Sequence, residues 1–327
     1  MTHIGFLGVG RLGGHLAASL LRAGFALTIH DLDRSAAEGL EAAGASWAAS
    51  VAELARDVDV VITCLPSAEA VAAVLEADDG VLSTFAPGGT WIDMSTNDSS
   101  ELQRLAGLAA AKGIATLEAP VTGGVHLAAT GDVTVILGGD DAVAEAHTPL
   151  FEAMGGRTFY VGQLGSASDL KVITNMLAFV HLVACGEALM LAKRAGIDLA
   201  VAFDVIRASS GTSFVHETEG QVILSGTYDI GFTLDLALKD LALALKLGAD
   251  HRVPLELASH VRERYEEARE RYGGSAWSPT VVKLLEDELG VELRAQGFPS
   301  TLEPEHSRPP RRPGCDSGVS QVCSQSS

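Results

Sequence analysis

The hexapeptide Gly8-Val9-Gly10-Arg11-Leu12-Gly13 constrains this chain more than any other feature. It fits G-x-G-x-x-G, a pattern that by itself often does no more than turn a chain. Its context gives it meaning: an apolar strand run, Ile4–Leu7, ends at the first glycine, and a helical run, Gly13–Ala23, starts at the last. A strand, a tight glycine turn and a helix in that order place free backbone N–H groups and the positive end of a helix dipole at one point. Gly8 permits the turn, Gly10 lets backbone approach a pyrophosphate, and Gly13 lets helix and strand pack closely. Gly8, Val9, Gly10, Arg11, Leu12 and Gly13 are therefore candidate dinucleotide-binding residues.

The next strand run closes on His30-Asp31, with Asp31 standing 23 positions after Gly8 (31 − 8). A carboxylate at that distance can grip the hydroxyls of the adenosine ribose, or it can simply cap a turn. With the glycines in place, the ribose role is favoured. An acidic group there repels a 2′-phosphate, so NAD is expected over NADP. Arg34 points the other way, since it can reach a 2′-phosphate, and it keeps NADP open.

Further strand candidates are Val58–Leu65, Gly89–Met94, Ala115–Glu118 and Val133–Gly138, with a last one at Thr158–Val161. Helical runs such as Ala36–Ala43 and Ser100–Lys112 lie between them. Alternation of this kind implies crossover connections and a mainly parallel sheet covered on both faces. From Ser166 to Leu289 the pattern is helical, opened by one long apolar run over Ser168–Ala195 that Gly196 ends. The fold class read from this is α/β: a doubly wound parallel sheet of Rossmann type at residues 1–163, then an all-helical unit at 164–297. From Phe298 the composition turns to Pro, Ser, Arg and Gln, and residues 298–327 are expected to form a disordered tail.

The formal charge of −19 opposes binding to nucleic acid or to anionic membrane surfaces. It does not oppose a small anionic substrate held by a local cationic pocket. The apolar run Leu170–Ala192 is interrupted by Lys171, His181, Gly186 and Glu187, so it is read as a buried helix and not a membrane span. Cys64, Cys185, Cys315 and Cys323 lack metal-ligand spacing and are read as free thiols in a reducing cytoplasm. No His, Asp and Glu grouping has ligand spacing either, so no catalytic metal is expected.

Three more segments stand out: Glu118-Ala119-Pro120-Val121-Thr122-Gly123-Gly124-Val125, then Gly162-Gln163-Leu164-Gly165 leading into a helix with Lys171 and Asn175, then Lys239-Asp240-Leu241-Ala242. Lys171 and Asn175 are four apart and share a helix face. A lysine at the start of a long apolar helix is partly desolvated, which lowers its pKa towards the range useful for a general base. Thr122, Gly123 and Gly124 offer a hydroxyl and two glycine N–H groups, a plausible carboxylate nest. With the N-terminal glycines, these motifs resemble the β-hydroxyacid dehydrogenase family, which includes 3-hydroxyisobutyrate dehydrogenases and tartronate semialdehyde reductases. The resemblance runs from about Ile4 to Leu293.

It implies Lys171 as the catalytic acid/base and Thr122, Gly123, Gly124, Asn175 and Lys239 as substrate contacts. Leu65, Pro66, Thr96 and Lys239 would line the cofactor. Three departures stand out. Thr122 replaces the family's usual serine, and Asn97-Asp98-Ser99 replaces its usual proline-containing loop. Thr174 stands where the family has the first of two asparagines. His181 reads as a core histidine, while His126, Phe214 and His216 are weaker candidates for substrate contacts or acid–base work. The implied reaction is reversible, NAD-linked oxidation of a small 3-hydroxy acid by a homodimer or homotetramer. Alternatives are an NAD(P)H-dependent reductase of semialdehyde acids (tartronate, succinic or sulfolactaldehyde type), an imine reductase, and a non-catalytic dinucleotide-binding module.

Overall fold

A computed structural model describes residues 2–303 of the chain. Nine strands form one sheet: β1 (His3–Leu7), β2 (Ala26–His30), β3 (Ser46–Trp47), β4 (Val60–Thr63), β5 (Thr90–Asp93), β6 (Ala115–Glu118), β7 (Val121–Thr122), β8 (Val133–Gly139) and β9 (Gly155–Gly162). Their order is β3-β2-β1-β4-β5-β6-β8-β7, with β9 also on β8. Six strands, β3 to β6 in that order, pair in parallel. Every residue of β4 and β5 is buried, as expected of interior parallel strands covered by helices on both sides.

The sheet departs from the expected parallel arrangement at its far edge. β6 and β7 are one extended run broken at Pro120, whose ring leaves no N–H for a ladder, and β8 lies antiparallel to both. Only residues 123–132 connect β7 to β8, too few for the usual crossover helix, so the chain turns back on itself.

Strand order reverses between β1 and β4. The first half of the sheet runs outward through β2 and β3, the second through β5 and β6, and a crevice opens at their carboxyl ends. The loops after β1, β4, β5 and β7 meet there, carrying Gly8–Gly13, Leu65-Pro66, Ser95-Thr96 and Thr122–Gly124. Two apolar clusters cover the sheet. One, on the side of the first helix α1 (Arg11–Arg22), is built on Phe6, Leu16, Leu20, Ile62 and Phe151. The other, on the side of α2 (Ser99–Ala111), is built on Leu54, Val61, Trp91 and Leu105.

After β9 the described chain is helical apart from one isolated bridge, Thr233 to Trp277. The 29-residue α3 (Ser166–Arg194) is followed by α4 (Leu199–Arg207), α5 (Leu234–Asp250) and α6 (Glu256–Tyr272). A third core gathers Phe179, Leu182, Leu189, Leu241, Tyr265 and Leu284. Gly186 matters here: a Cβ would lie 2.6 Å from Val282, so the glycine lets the segment Ser278–Val282 press against α3. Gly196 ends the long helix at φ 78°, the left-handed geometry expected of it.

Two expectations need correction. The long helix is not buried throughout, since only a third of its most apolar window is covered by the rest of the chain. Leu170, Ile173, Leu177 and Leu191 are exposed, because the remaining helices of one chain cover a single side of it. By length and composition this helix alone, among the described residues, is apolar enough to cross a membrane. The tail also starts later than Phe298. That ring packs edge-on against Phe203 at 5.0 Å, and Thr227 Oγ1 donates to the Ser300 carbonyl at 2.7 Å. Residues 304–327 of the expected tail, with Cys315 and Cys323, lie outside the described residues.

Candidate functional site

The glycine turn has the geometry its sequence demands. Gly8 sits at φ 91°, and a Cβ there would lie 2.4 Å from the Cys64 carbonyl oxygen. A Cβ on Gly13 would come within 2.0 Å of the Gly8 carbonyl oxygen, so the helix closes on the strand only because none is present. Gly10 faces open space, the side from which a pyrophosphate can approach. Arg11 leaves the turn towards the helical half, its guanidinium 4.7 Å from the Trp277 ring centre.

Asp31 is bound to the same turn. Its Oδ2 accepts the Val9 N–H at 2.8 Å and its Oδ1 accepts the Asp33 N–H at 2.9 Å. The turn-capping and ribose roles are thus compatible, since each carboxylate oxygen keeps a further lone pair. Arg34 is held elsewhere: it pairs with Glu41 at 2.6 Å and stacks 4.4 Å above Trp47.

A buried carboxylate that the sequence reading passed over, Asp93 at the end of β5, orders the neighbouring loops. It accepts from Thr63 Oγ1 (2.8 Å), Asn97 Nδ2 (2.9 Å) and the Ser95 N–H (3.1 Å), and Ser95 Oγ in turn accepts the Leu65 N–H at 2.9 Å. Burial pushes the Asp93 carboxyl up, against the hydrogen bonds that pull it down. Asn97 thus ties the loop after β5 to the end of that strand. Asp98 caps α2 through the Ser100 and Glu101 N–H groups and pairs with Lys246 at 3.1 Å. Pro66 is exposed and Leu65 half-buried at the mouth of the crevice.

Lys171 lies in the second turn of α3, 8% exposed. Its Nζ donates to Asn175 Oδ1 at 2.8 Å, and Asn175 Nδ2 donates to Asp240 Oδ2 at 2.6 Å. Lys239 Nζ is 2.7 Å from Asp240 Oδ1, a charge contact without hydrogen-bond alignment, and donates to the Thr96 carbonyl at 3.0 Å. One chain of contacts therefore joins Lys171, Asn175, Asp240, Lys239 and the loop after β5. Burial lowers the Lys171 amine from 10.5 to about 8; the Asp240 charge opposes that shift and Lys239 adds to it. Asp240 appeared in the sequence only as part of the Lys239 motif. Its role depends on α5 crossing α3, which no local pattern records.

Thr122 is half-buried, and Gly123 (φ 119°) and Gly124 (φ 82°) both take positive φ, a backbone that glycine adopts without a steric penalty. The His126 ring stacks with that of Phe214 at 6.5 Å, joining this loop to the helical half. The weaker candidates separate clearly. Thr174 Oγ1 bonds back to the Lys171 carbonyl at 2.8 Å and stays within its own helix. His216 is buried, bonded to the Phe203 carbonyl at 2.9 Å and to Cys185 Sγ at 3.4 Å, and belongs to the core. His181 is half-buried on α3. Burial pushes the thiols of Cys64 and Cys185 up to about 12, which leaves them unreactive. Among the described residues no group of His, Cys, Asp and Glu can hold a metal ion.

The chain is similar to known proteins along both of its halves. Residues 3–162 match the family model described as the NAD binding domain of 6-phosphogluconate dehydrogenase. Residues 165–285 match the NAD-binding model of NADP-dependent 3-hydroxyisobutyrate dehydrogenase. The 2-(hydroxymethyl)glutarate dehydrogenase of Eubacterium barkeri is 32% identical, across 89% of this chain and 97% of that one. The NAD-dependent L-serine dehydrogenase of Pseudomonas aeruginosa is 37% identical, across 75% of this chain and 84% of that one. Among solved structures, Mycobacterium tuberculosis 3-hydroxyisobutyrate dehydrogenase with L-serine superposes at a TM-score of 0.79, with 31% identity over 87% of this chain and 99% of that one. Imine reductases from Myxococcus stipitatus share the fold at 18–19% identity. With both halves matched to these family models and relatives, the chain belongs to the β-hydroxyacid dehydrogenase family of NAD(P)-linked oxidoreductases.

Proposed function

We propose that the chain oxidises a small 3-hydroxy acid reversibly with NAD, using Lys171 as general base in oxidation and general acid in reduction. The observation that carries this reading is a desolvated amine at about 8, hydrogen-bonded to Asn175 and linked through Asp240 and Lys239 to the cofactor-side loop. NAD, when bound, would supply the acceptor for the hydride of the substrate's carbinol carbon. Lys171 takes the hydroxyl proton as the carbonyl forms, and returns it in the reverse direction. Asn175 orients the amine. The Asp240 carboxylate stabilises its protonated form, and Lys239 lies 2.7 Å from the far oxygen of that carboxylate. Thr122 Oγ1 and the Gly123 and Gly124 N–H groups hold the substrate carboxylate, with Lys239 adding positive charge.

Gly8–Gly13 hold the pyrophosphate and Asp31 the adenosine ribose, with Leu65, Pro66 and Thr96 along the nicotinamide side. NAD is preferred because the Asp31 carboxylate would repel a 2′-phosphate, while Arg34 is tied to Glu41 and Trp47. The dinucleotide unit ends at residue 163 and the helical unit begins at 164. The exposed apolar faces of α3 and α4, where Val201 and Val205 add to Leu170, Ile173 and Leu177, pair with a second copy in a dimer or tetramer. The two inert thiols suit a cytoplasmic enzyme. Reduction of semialdehyde acids by the same groups is the second reading, and the reversible proton path through Lys171 favours it over imine reduction.

The test is NADH formation by purified protein with a panel of 3-hydroxy acids, beside NADP and a set of semialdehyde acids with NADH. Turnover on a 3-hydroxy acid with NAD supports the reading. Turnover confined to the aldehydes moves the assignment to the second reading, and none on either set refutes both.

A further inference from the structure

Glu118 closes β6 and is only 1% exposed. All four of its partners come from the start of α3. Oε1 accepts the N–H groups of Gly165 (2.7 Å) and Ala167 (2.8 Å), and Oε2 accepts the N–H and hydroxyl of Ser168 (3.0 and 2.6 Å). The helix cannot supply this acceptor itself, since Gly165 at its cap has no side chain. The sheet makes room for the carboxylate through Gly138 on β8, where a Cβ would lie 2.5 Å from Oε1. Ser168 is three residues before Lys171, about one turn away, so the held turn and the amine belong to the same rigid piece of helix. Gln103 Nε2 also donates to the Leu164 carbonyl (2.8 Å), but that bond reaches only the linking loop.

We propose that Glu118 is a positioning residue for proton transfer, pinning the helix that carries Lys171 to the end of the sheet that holds the dinucleotide loops. The inference rests on the reading of Lys171 given above. A carboxylate suits the task because it offers only acceptors, has lone pairs for all four donors, and is attracted by the helix dipole. A helix start released from the sheet shifts the amine relative to the nicotinamide. It also lets water reach Lys171, which removes the cause of its lowered pKa.

Glu118→Gln keeps the size of the side chain but turns an NH2 group towards N–H donors. Its kcat is expected to fall about 10- to 100-fold, the scale of an ångström-sized misplacement, while NADH affinity stays near wild type. The rising limb of kcat against pH in oxidation, set in wild type near 8 by Lys171 beside Asn175, Asp240 and Lys239, moves to higher pH. Ser168→Ala, which removes one of the four bonds, moves both readouts the same way by less, and it carries the test if Glu118→Gln does not fold. Asp198→Asn is the control, because Asp198 caps α4 through the Ala200 and Val201 N–H groups (both 3.0 Å), away from the site. It should leave kcat unchanged. An unchanged kcat in Glu118→Gln overturns the proposal. So does a fall matched by lost NADH binding with the pH limb in place, which marks a purely structural role. A Lys171→Ala enzyme that still turns over overturns the reading beneath the inference, independently of Glu118.

Discussion

Replacing Lys171 by Met should remove a pH-dependent cost that the fold carries for its reactive amine. The folded-state pKa, about 8, lies below the 10.5 of an ordinary lysine. The unfolded chain therefore holds the proton more tightly, and protonated Lys171 opposes folding below about pH 8. The cost fades as pH rises from about 8 towards 10.5. In free energy this amounts to about 3 kcal/mol at pH 7 and roughly half of that at pH 9.5. Met fills the space without charge, but it leaves Asn175 Oδ1 without its donor, at about 1–3 kcal/mol. The variant should thus be between neutral and about 2 kcal/mol more stable than wild type at pH 7. Its advantage should shrink by about 2 kcal/mol at pH 9.5, where the wild-type penalty has partly gone. Urea titrations of both proteins at the two pH values, extrapolated to water, measure that change. A stability difference that stays constant between pH 7 and 9.5 would refute the claim that Lys171 is held near 8.

Two other substitutions probe the cofactor side and the amine's neighbours. Asp31→Ser should lose NAD preference, raising the NADP-to-NAD ratio of kcat/KM about tenfold by removing a charge that repels a 2′-phosphate. An unchanged ratio would assign Asp31 to its turn alone. Asp240→Asn removes the attraction that raises the Lys171 pKa, so the rising limb of the oxidation profile should move to lower pH as kcat drops; a limb that moves up, or does not move, contradicts the contact chain.

Much of the fold is legible in the sequence, because interior parallel strands such as β4 and β5 are short, apolar and bounded by turn residues. The glycine turn is legible for a related reason: its chemistry lies within six consecutive residues. Features that depend on pairing across the chain are not. The strand β3 has two residues and exists only because Trp47 lies beside Ile29. The antiparallel edge follows from the break at Pro120 and the short return to β8, and neither alternation nor composition distinguishes it from another crossover. Within the site, Lys171 and Asn175 were readable from their spacing on one helix. Asp240 and Glu118 act on groups 65 and 47–50 positions away, and a carboxylate in the sequence does not announce which helix it will meet. The exposed side of α3 is not legible for a similar reason, since an all-apolar run says that a helix is covered without saying by what.

The most direct test of the central claim compares wild type with Lys171→Ala on one turned-over hydroxy acid, with NADH affinity measured on the same preparations. The account predicts a fall in kcat of about 10²- to 10⁴-fold, the range for a positioned acid/base group, while NADH binds as before. A variant that retains wild-type turnover would contradict it.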